Sequence, residues 1–324
     1  LLSSSMASVR GETHNVGGLV GVSVGASVEN CQAFGRVTGG ADNVGGLLGS
    51  TTGDTSSSQA YGDVLGRYDV GGLIGFNHGN VRDSSFDGNV EASGGMGGLI
   101  GSHDGSVTRS DAHGTIAGNG YNFGGLVGRH LGGVISRCYA ATLVYGDGHH
   151  VGGLVGHSGA EAEVSESYAC GSVTGYSYVG GLIGLHDGSA DDVYAVGSVN
   201  ASVAVGGLIG LDRGAVFHAY AVGRVTGITQ TGGLSGAADG AVTTAAYWDV
   251  QTSGQDSSAN GTGRMTADMG NISSYEGWDF DQTWGIELAR YPYLRHTHAA
   301  LVPVTLSGMT VDDAMVALAT AGLT

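Results

Sequence analysis

The chain has 324 residues, of which 64 are glycine and 2 are proline, and only 13% are charged. Glycine at this density lacks the three-residue period of collagen and would cost a helix about 1 kcal/mol per site relative to alanine, so collagen-like and helical-repeat architectures are excluded. A net charge of −17, with twelve arginines and no lysine, argues against nucleic acid as a partner, and no apolar run approaches the ~18 residues of a membrane-spanning helix.

Residues 1–15 read as a partial repeat, because Ser5-Met6-Ala7 looks like a degraded second half of the unit that follows. Leu1-Leu2 is not a charged segment leading into an apolar one, so the expectation is a region that begins within a longer protein, its first coil covered by something upstream. From residue 16 to 250 the triplet Gly-Gly-Leu recurs nine times. Its glycines are Gly17 and Gly18, Gly45 and Gly46, Gly71 and Gly72, Gly97 and Gly98, Gly124 and Gly125, Gly152 and Gly153, Gly180 and Gly181, Gly206 and Gly207, and Gly232 and Gly233. The intervals run from 26 to 28 residues, a steadiness that marks stacked repeats. Val, Met or Phe precedes every triplet except the last, where Thr231 stands.

Each unit continues through a turn, as at His78-Gly79, Asp104-Gly105 and Asp187-Gly188, into a second segment such as Ser167 to Val173. These segments are about four to six residues long, rich in Val, Ile and Tyr, and bounded by glycine, which is strand chemistry. Two or three short strands per unit predict an all-β parallel β-solenoid, or β-helix, of about nine coils and ~40 Å, with glycine at bends or along a flat strip. A propeller is the weaker alternative, since no Trp-Asp signature recurs. Phe34, Tyr61, Phe86, Tyr139, Tyr168, Tyr194, Tyr220 and Tyr247 are expected to stack at a coil corner.

The Gly-Leu-aliphatic-Gly pattern at 18–21, 46–49, 72–75, 98–101, 125–128, 153–156, 181–184 and 207–210 resembles the GLUG motif family; Gly233-Leu234-Ser235-Gly236 departs from it. The resemblance implies a segment of a large secreted or surface-attached bacterial or archaeal protein of adhesin-like or structural type. The family offers no catalytic residues to carry over.

After Asp249 the pattern stops. Residues 251–264 read as a polar loop, and Trp278-Asp279-Phe280 with Tyr291-Pro292-Tyr293-Leu294 resemble the closing segment of such arrays, so 251–300 is expected to cap the last coil. Residues 301–324, through Gly308-Met309-Thr310, Asp312-Asp313 and Gly322, resemble the first half of a PASTA domain with a short helix. In that family the domain is linked to cell-wall recognition or spacing.

Cys31, Cys138 and Cys170 read as small buried residues. His78, His103, His130, His157 and His186 follow their leucines by three to five residues in consecutive coils; they are either a stack of imidazoles that could take a transition metal or sense mild acid, or tolerant turn residues. Asp187, Asp191, Asp192 and Asp212 form the densest carboxylate patch, a glycan or calcium candidate, or simply good turn residues. No nucleophile elbow, zincin motif or phosphate loop occurs. The expected function is a non-catalytic extracellular stalk, spacer or fibre subunit without a cofactor, self-associating or meeting cell-surface glycans. The alternative is a polysaccharide-binding or polysaccharide-cleaving β-helix.

Overall fold

The structure, a computed structural model, describes residues 3–296. The PASTA-like segment and the last residues of the expected closing segment lie outside the described residues. Within them the chain winds as a parallel β-solenoid in which successive Gly-Gly-Leu triplets are hydrogen-bonded neighbours, Gly17 on Gly45, Gly45 on Gly71, and so on to Gly206 on Gly232. Among the described residues the strands that enter the triplets form a sheet of 9, and the other faces of the coils run together in a sheet of 29.

One coil shows the plan: Tyr68–Gly71, Ile74–Asn77, Val81–Arg82, then Ser85–Ala92. Its inward residues Val70, Leu73, Ile74, Val81, Phe86 and Val90 are buried. Each stacks on its equivalent in neighbouring coils, and this apolar column supplies the hydrophobic stabilisation. The paired glycines are required by close approach. A Cβ on Gly152 would lie 2.0 Å from the Val155 carbonyl oxygen, and one on Gly153 would lie 2.1 Å from the carbonyl oxygen of Gly181 in the next coil.

Two corners of each coil are left-handed. The first lies two residues before each triplet. Asn15 (φ 62°), Asn43 (60°), Asp69 (52°), Asn122 (63°) and Gly95 there tolerate this backbone readily, whereas His150, Tyr178, Ala204 and Gln230 hold it in the later coils at φ 51–55°. The second holds Asn30, Ser57, Asp83, Arg109, Arg137, Glu166, Asp192, His218 and Ala245. Directly after this second corner runs an inward hydroxyl ladder absent from the sequence expectations. The amides of Cys31, Ser58 and Ser84 donate to the Oγ of Ser58, Ser84 and Ser110, each at 3.1–3.2 Å. Each of those hydroxyls in turn donates to the carbonyl two residues back. Cys31 and Cys138 occupy rungs of this ladder as serine substitutes, and both are buried and free.

The expected aromatic column divides. Tyr139, Tyr168, Tyr194 and Tyr220 stack nearly parallel at 5.3, 4.7 and 5.0 Å, with Tyr247 next in register. Phe34 and Tyr61 form a separate pair at 4.9 Å, two residues further along their strands. Phe86 pairs with Ala60 and Ala112 and points into the core. The difference is strand alternation: a shift of one residue turns a side chain from one face to the other.

The end of the array also differs from expectation. The polar stretch closes the last coil: Thr262–Arg264 adds a parallel strand on Val242–Asp249, and Ser258 Oγ accepts from the amides of Leu234 and Ser235. The aromatic segment that follows lies along the flank, over the tyrosine ladder. Trp278 Nε1 donates to the Ala245 carbonyl (3.0 Å), Tyr220 donates its hydroxyl to the Pro292 carbonyl (2.6 Å), and Trp284 Nε1 reaches Asp192 Oδ1 (2.6 Å).

The glycine geometry makes a contrast that urea unfolding can read. Gly153→Ala, forced against a backbone oxygen, is expected to lower stability by about 3 kcal/mol. Gly132→Ala, whose Cβ would meet nothing nearer than Glu161 Cβ at 3.6 Å, is expected to stay within ~0.5 kcal/mol of wild type.

Candidate functional site

The five aligned histidines do not make one stack. Position four after each leucine points inward, and there the coils place Ser23, Thr51, Asn77, His103, His130, Ser158, His186 and Asp212 in register. His78 and His157 fall one residue to either side of that position and turn outward, while Ser158 interrupts the inward imidazoles. Only His103 and His130 stack directly, at 5.7 Å.

The inward column supports the turn that follows it. Thr51 Oγ1 and the Asn77 side chain each bond both backbone groups of the glycine two residues on, and Asp212 Oδ1 accepts from the Gly214 amide. His130 Nε2 pairs with the Gly133 carbonyl (3.2 Å) and His186 Nε2 with the Ala215 carbonyl (3.3 Å). Burial holds these imidazoles neutral, pushing His103 down to about 3, and His130 and His186 to about 4. They therefore do not respond to mild acid while the coil is folded.

The outward histidines pair with turn carboxylates: His78 with Asp104 at 2.7 Å, and His157 with Asp187 at 3.0 Å. Arg213 then bridges Asp187 and Asp239 at 3.7 and 3.6 Å. The carboxylate patch read from the sequence thus divides among three environments. Asp187 belongs to this exposed charge ladder. Asp212 is buried in the inward column, its Oδ2 accepting from Asn260 Nδ2 (2.8 Å), and burial raises its carboxyl to about 6. Asp191 and Asp192 sit at the second left-handed corner.

At that corner His218, which the sequence reading passed over, joins them. Its Nδ1 lies 2.8 Å from Asp191 Oδ1 and 3.9 Å from Asp192 Oδ1. Among the described residues these three are the group whose nitrogen and carboxylate ligand atoms all lie within 4.8 Å of one another. The signal was present in the repeat: His218 stands 26 residues after Asp192, one period on. Asp192 is raised above the ordinary carboxylate range by burial, against which the Trp284 indole N–H works.

A fourth feature lies where the chain enters the triplet strands. Tyr121 (57% exposed) stacks on His149 at 5.0 Å, and His149 meets the edge of Tyr176 (50% exposed) at 5.3 Å. Beside them His150 Nδ1 donates to Asn122 Oδ1 at 2.9 Å, and the imidazole is lowered to about 4, chiefly by burial.

Comparison with known proteins agrees with the repeat. The family model described as the GLUG motif matches residues 12–38 and 66–91. A protein of Evansella cellulosilytica named as a Gly-rich membrane protein is 46% identical over 50 residues, which cover 15% of this chain and 6% of that protein. The chain therefore spans only a small part of the relative's length. No solved structure matches. Among the described residues no helix is long and apolar enough to cross a membrane.

Two groups give opposite pH effects. Asp212 binds its proton more tightly folded than unfolded, so it costs stability above its folded value of about 6 and nothing below the unfolded 3.8. Asp212→Asn keeps the Gly214 contact and is expected to stabilise by ~3 kcal/mol at pH 7.5, an advantage that shrinks as pH falls through 6 toward 4. The inward imidazoles are depressed, so their contribution is complete above pH 6.5 and is lost as pH falls toward about 4. Thermal melts of His186→Ser, which copies Ser158, are expected to show less destabilisation than wild type over that interval.

Proposed function

We propose that this chain is a non-catalytic, extracellular structural and adhesive repeat region, a stalk, spacer or fibre subunit of a larger surface or secreted protein. The observation that carries the reading is the unbroken in-register ladder from Gly17 to Gly232, which makes the repeats one stiff rod. The polar groups a catalytic reading would need are engaged in holding the coils. Asp212 is buried beyond reach of a polymer, Asp187 is neutralised by His157 and Arg213, and His130 and His186 are bonded to turn backbones.

The acidic, lysine-free surface and the short match to a Gly-rich membrane protein support placement outside the cell. Negative-stain electron microscopy is expected to show rods of ~40 Å that add end to end or side by side as concentration rises. A reducing-sugar assay over soluble polysaccharides is expected to stay at background. Turnover abolished by Asp187→Ala or Asp212→Ala would overturn the non-catalytic reading.

A second reading, polysaccharide binding by the rod, is favoured by the exposed Tyr121–His149–Tyr176 strip, whose ring faces can stack on sugar rings. Affinity electrophoresis in polysaccharide-containing gels checks it: retardation by one polymer, lost in Tyr121→Ala and Tyr176→Ala at unchanged melting temperature, is the expected result.

A further inference from the structure

The second left-handed corner of the solenoid stacks Glu166, Asp192 and His218 from three successive coils, with Asp191 beside Asp192. We infer that this corner is a binding site for a divalent first-row transition-metal ion such as zinc, held by His218 Nδ1 and carboxylate oxygens of Asp191 and Asp192.

Three features carry the assignment. The first is geometry. The Nδ1–Oδ1 separations of 2.8 and 3.9 Å bracket the ~3 Å spacing of ligand atoms around an ion that sits about 2.0–2.2 Å from each. The ligand atoms of all three side chains lie within 4.8 Å of one another. The second is ligand chemistry: one imidazole with two carboxylates suits a borderline ion, whereas calcium prefers six to eight oxygens. The side chains of Asp191, Asp192 and His218 are 46%, 22% and 29% exposed, which leaves the remaining coordination position open to water.

The third is the surrounding support. Trp284, 92 residues further along the chain, donates its indole N–H to Asp192 Oδ1 at 2.6 Å. An outer hydrogen bond of this kind orients a ligating carboxylate. Trp278 meets the His218 ring edge-on at 6.4 Å. Nearby charge is unequally matched. Glu166 is paired with Arg137 at 3.1 Å and lies 3.8 Å from His296, whereas Asp191 and Asp192 share the single imidazole of His218. A cation at this point neutralises the surplus and fastens the corner beneath the aromatic segment.

Isothermal titration of the metal-free full chain with zinc chloride, and separately with calcium chloride, tests the site. One zinc per chain is expected, with calcium bound far more weakly. His218→Gln and Asp191→Asn are each expected to weaken zinc by at least about tenfold, while His157→Gln, at the other histidine–aspartate pair, leaves it unchanged. Trp284→Phe, which removes the indole N–H together with part of the buried ring, is expected to weaken binding by about tenfold with the three ligands intact, in a chain that circular dichroism shows to be folded. Nickel, added to the same samples, is expected to quench tryptophan fluorescence in wild type and not in His218→Gln. Circular dichroism in chelator verifies that the variants fold. Zinc affinity unchanged in both His218→Gln and Asp191→Asn, or no zinc binding by the folded wild type, overturns the proposal.

Discussion

Each coil rests on the next at the distance of a backbone hydrogen bond, and at the paired glycines the approach leaves no room for a side chain. A Cβ on Gly125 would come 1.9 Å from the Gly153 carbonyl oxygen, and the same collision recurs at every pair but the last, where Gly233 faces the Trp248 ring. Stacking in register is therefore the condition under which everything else is arranged. The valine, leucine and isoleucine columns align because the backbone does, and an insertion in the repeat is absorbed locally, as by the register shift between His130 and Gly132. The two left-handed corners close each coil, and side-chain amides ladder there where the residues allow it, as between Asn43 and Asn15 at 2.9 Å.

The interior of the rod is not uniformly apolar. A serine and cysteine ladder after one corner, and a mixed column of Thr51, Asn77, His103, His130, Ser158, His186 and Asp212 before the turn, bury polar groups in every coil that carries them. Thr51, Asn77, His130, His186 and Asp212 are acceptable there because they bond backbone donors and acceptors that a tight turn leaves unpaired. His103 meets the Asn77 side chain, and the Ser158 hydroxyl is buried without a partner. Asn and Asp do this with both turn groups or one, whereas an imidazole reaches a carbonyl further along. The histidines are thus turn supports of a bulkier kind. Their neutrality and the raised carboxyl of Asp212 share one cause, removal from water.

The C-terminal segment gives the array a direction. Its polar first part finishes the last coil, and its aromatic second part folds back along the flank as far as Asp192, covering Tyr168, Tyr194, Tyr220 and Tyr247. The tyrosine ladder exists in the coils that this segment covers and gives way to Asp111, Ser85 and Gln59 in earlier ones. Large ring faces that would be exposed on an open solenoid are here the surface on which the segment docks, and the polar atoms of Tyr220, Tyr275, Trp278, Trp284 and Tyr291 each find a partner.

Residue spacing alone was enough to reveal the solenoid, its coil count and its core, because a period of 26 to 28 residues with aliphatic residues at fixed offsets has one simple stacked solution. It also brought out the acidic composition, the burial of Cys31 and Cys138 though not of the half-buried Cys170, and the glycines as backbone requirements. What it could not decide was which way each side chain points. In a strand, neighbours one residue apart face opposite sides, so histidines three, four and five residues past a leucine looked alike in sequence and part company in space. The same one-residue ambiguity placed Phe86 in the core. The docking of the aromatic segment was equally beyond reach, because nothing local distinguishes covering an end from covering a flank; only the packed tyrosine ladder, assembled from residues far apart in the chain, supplies the surface that decides it.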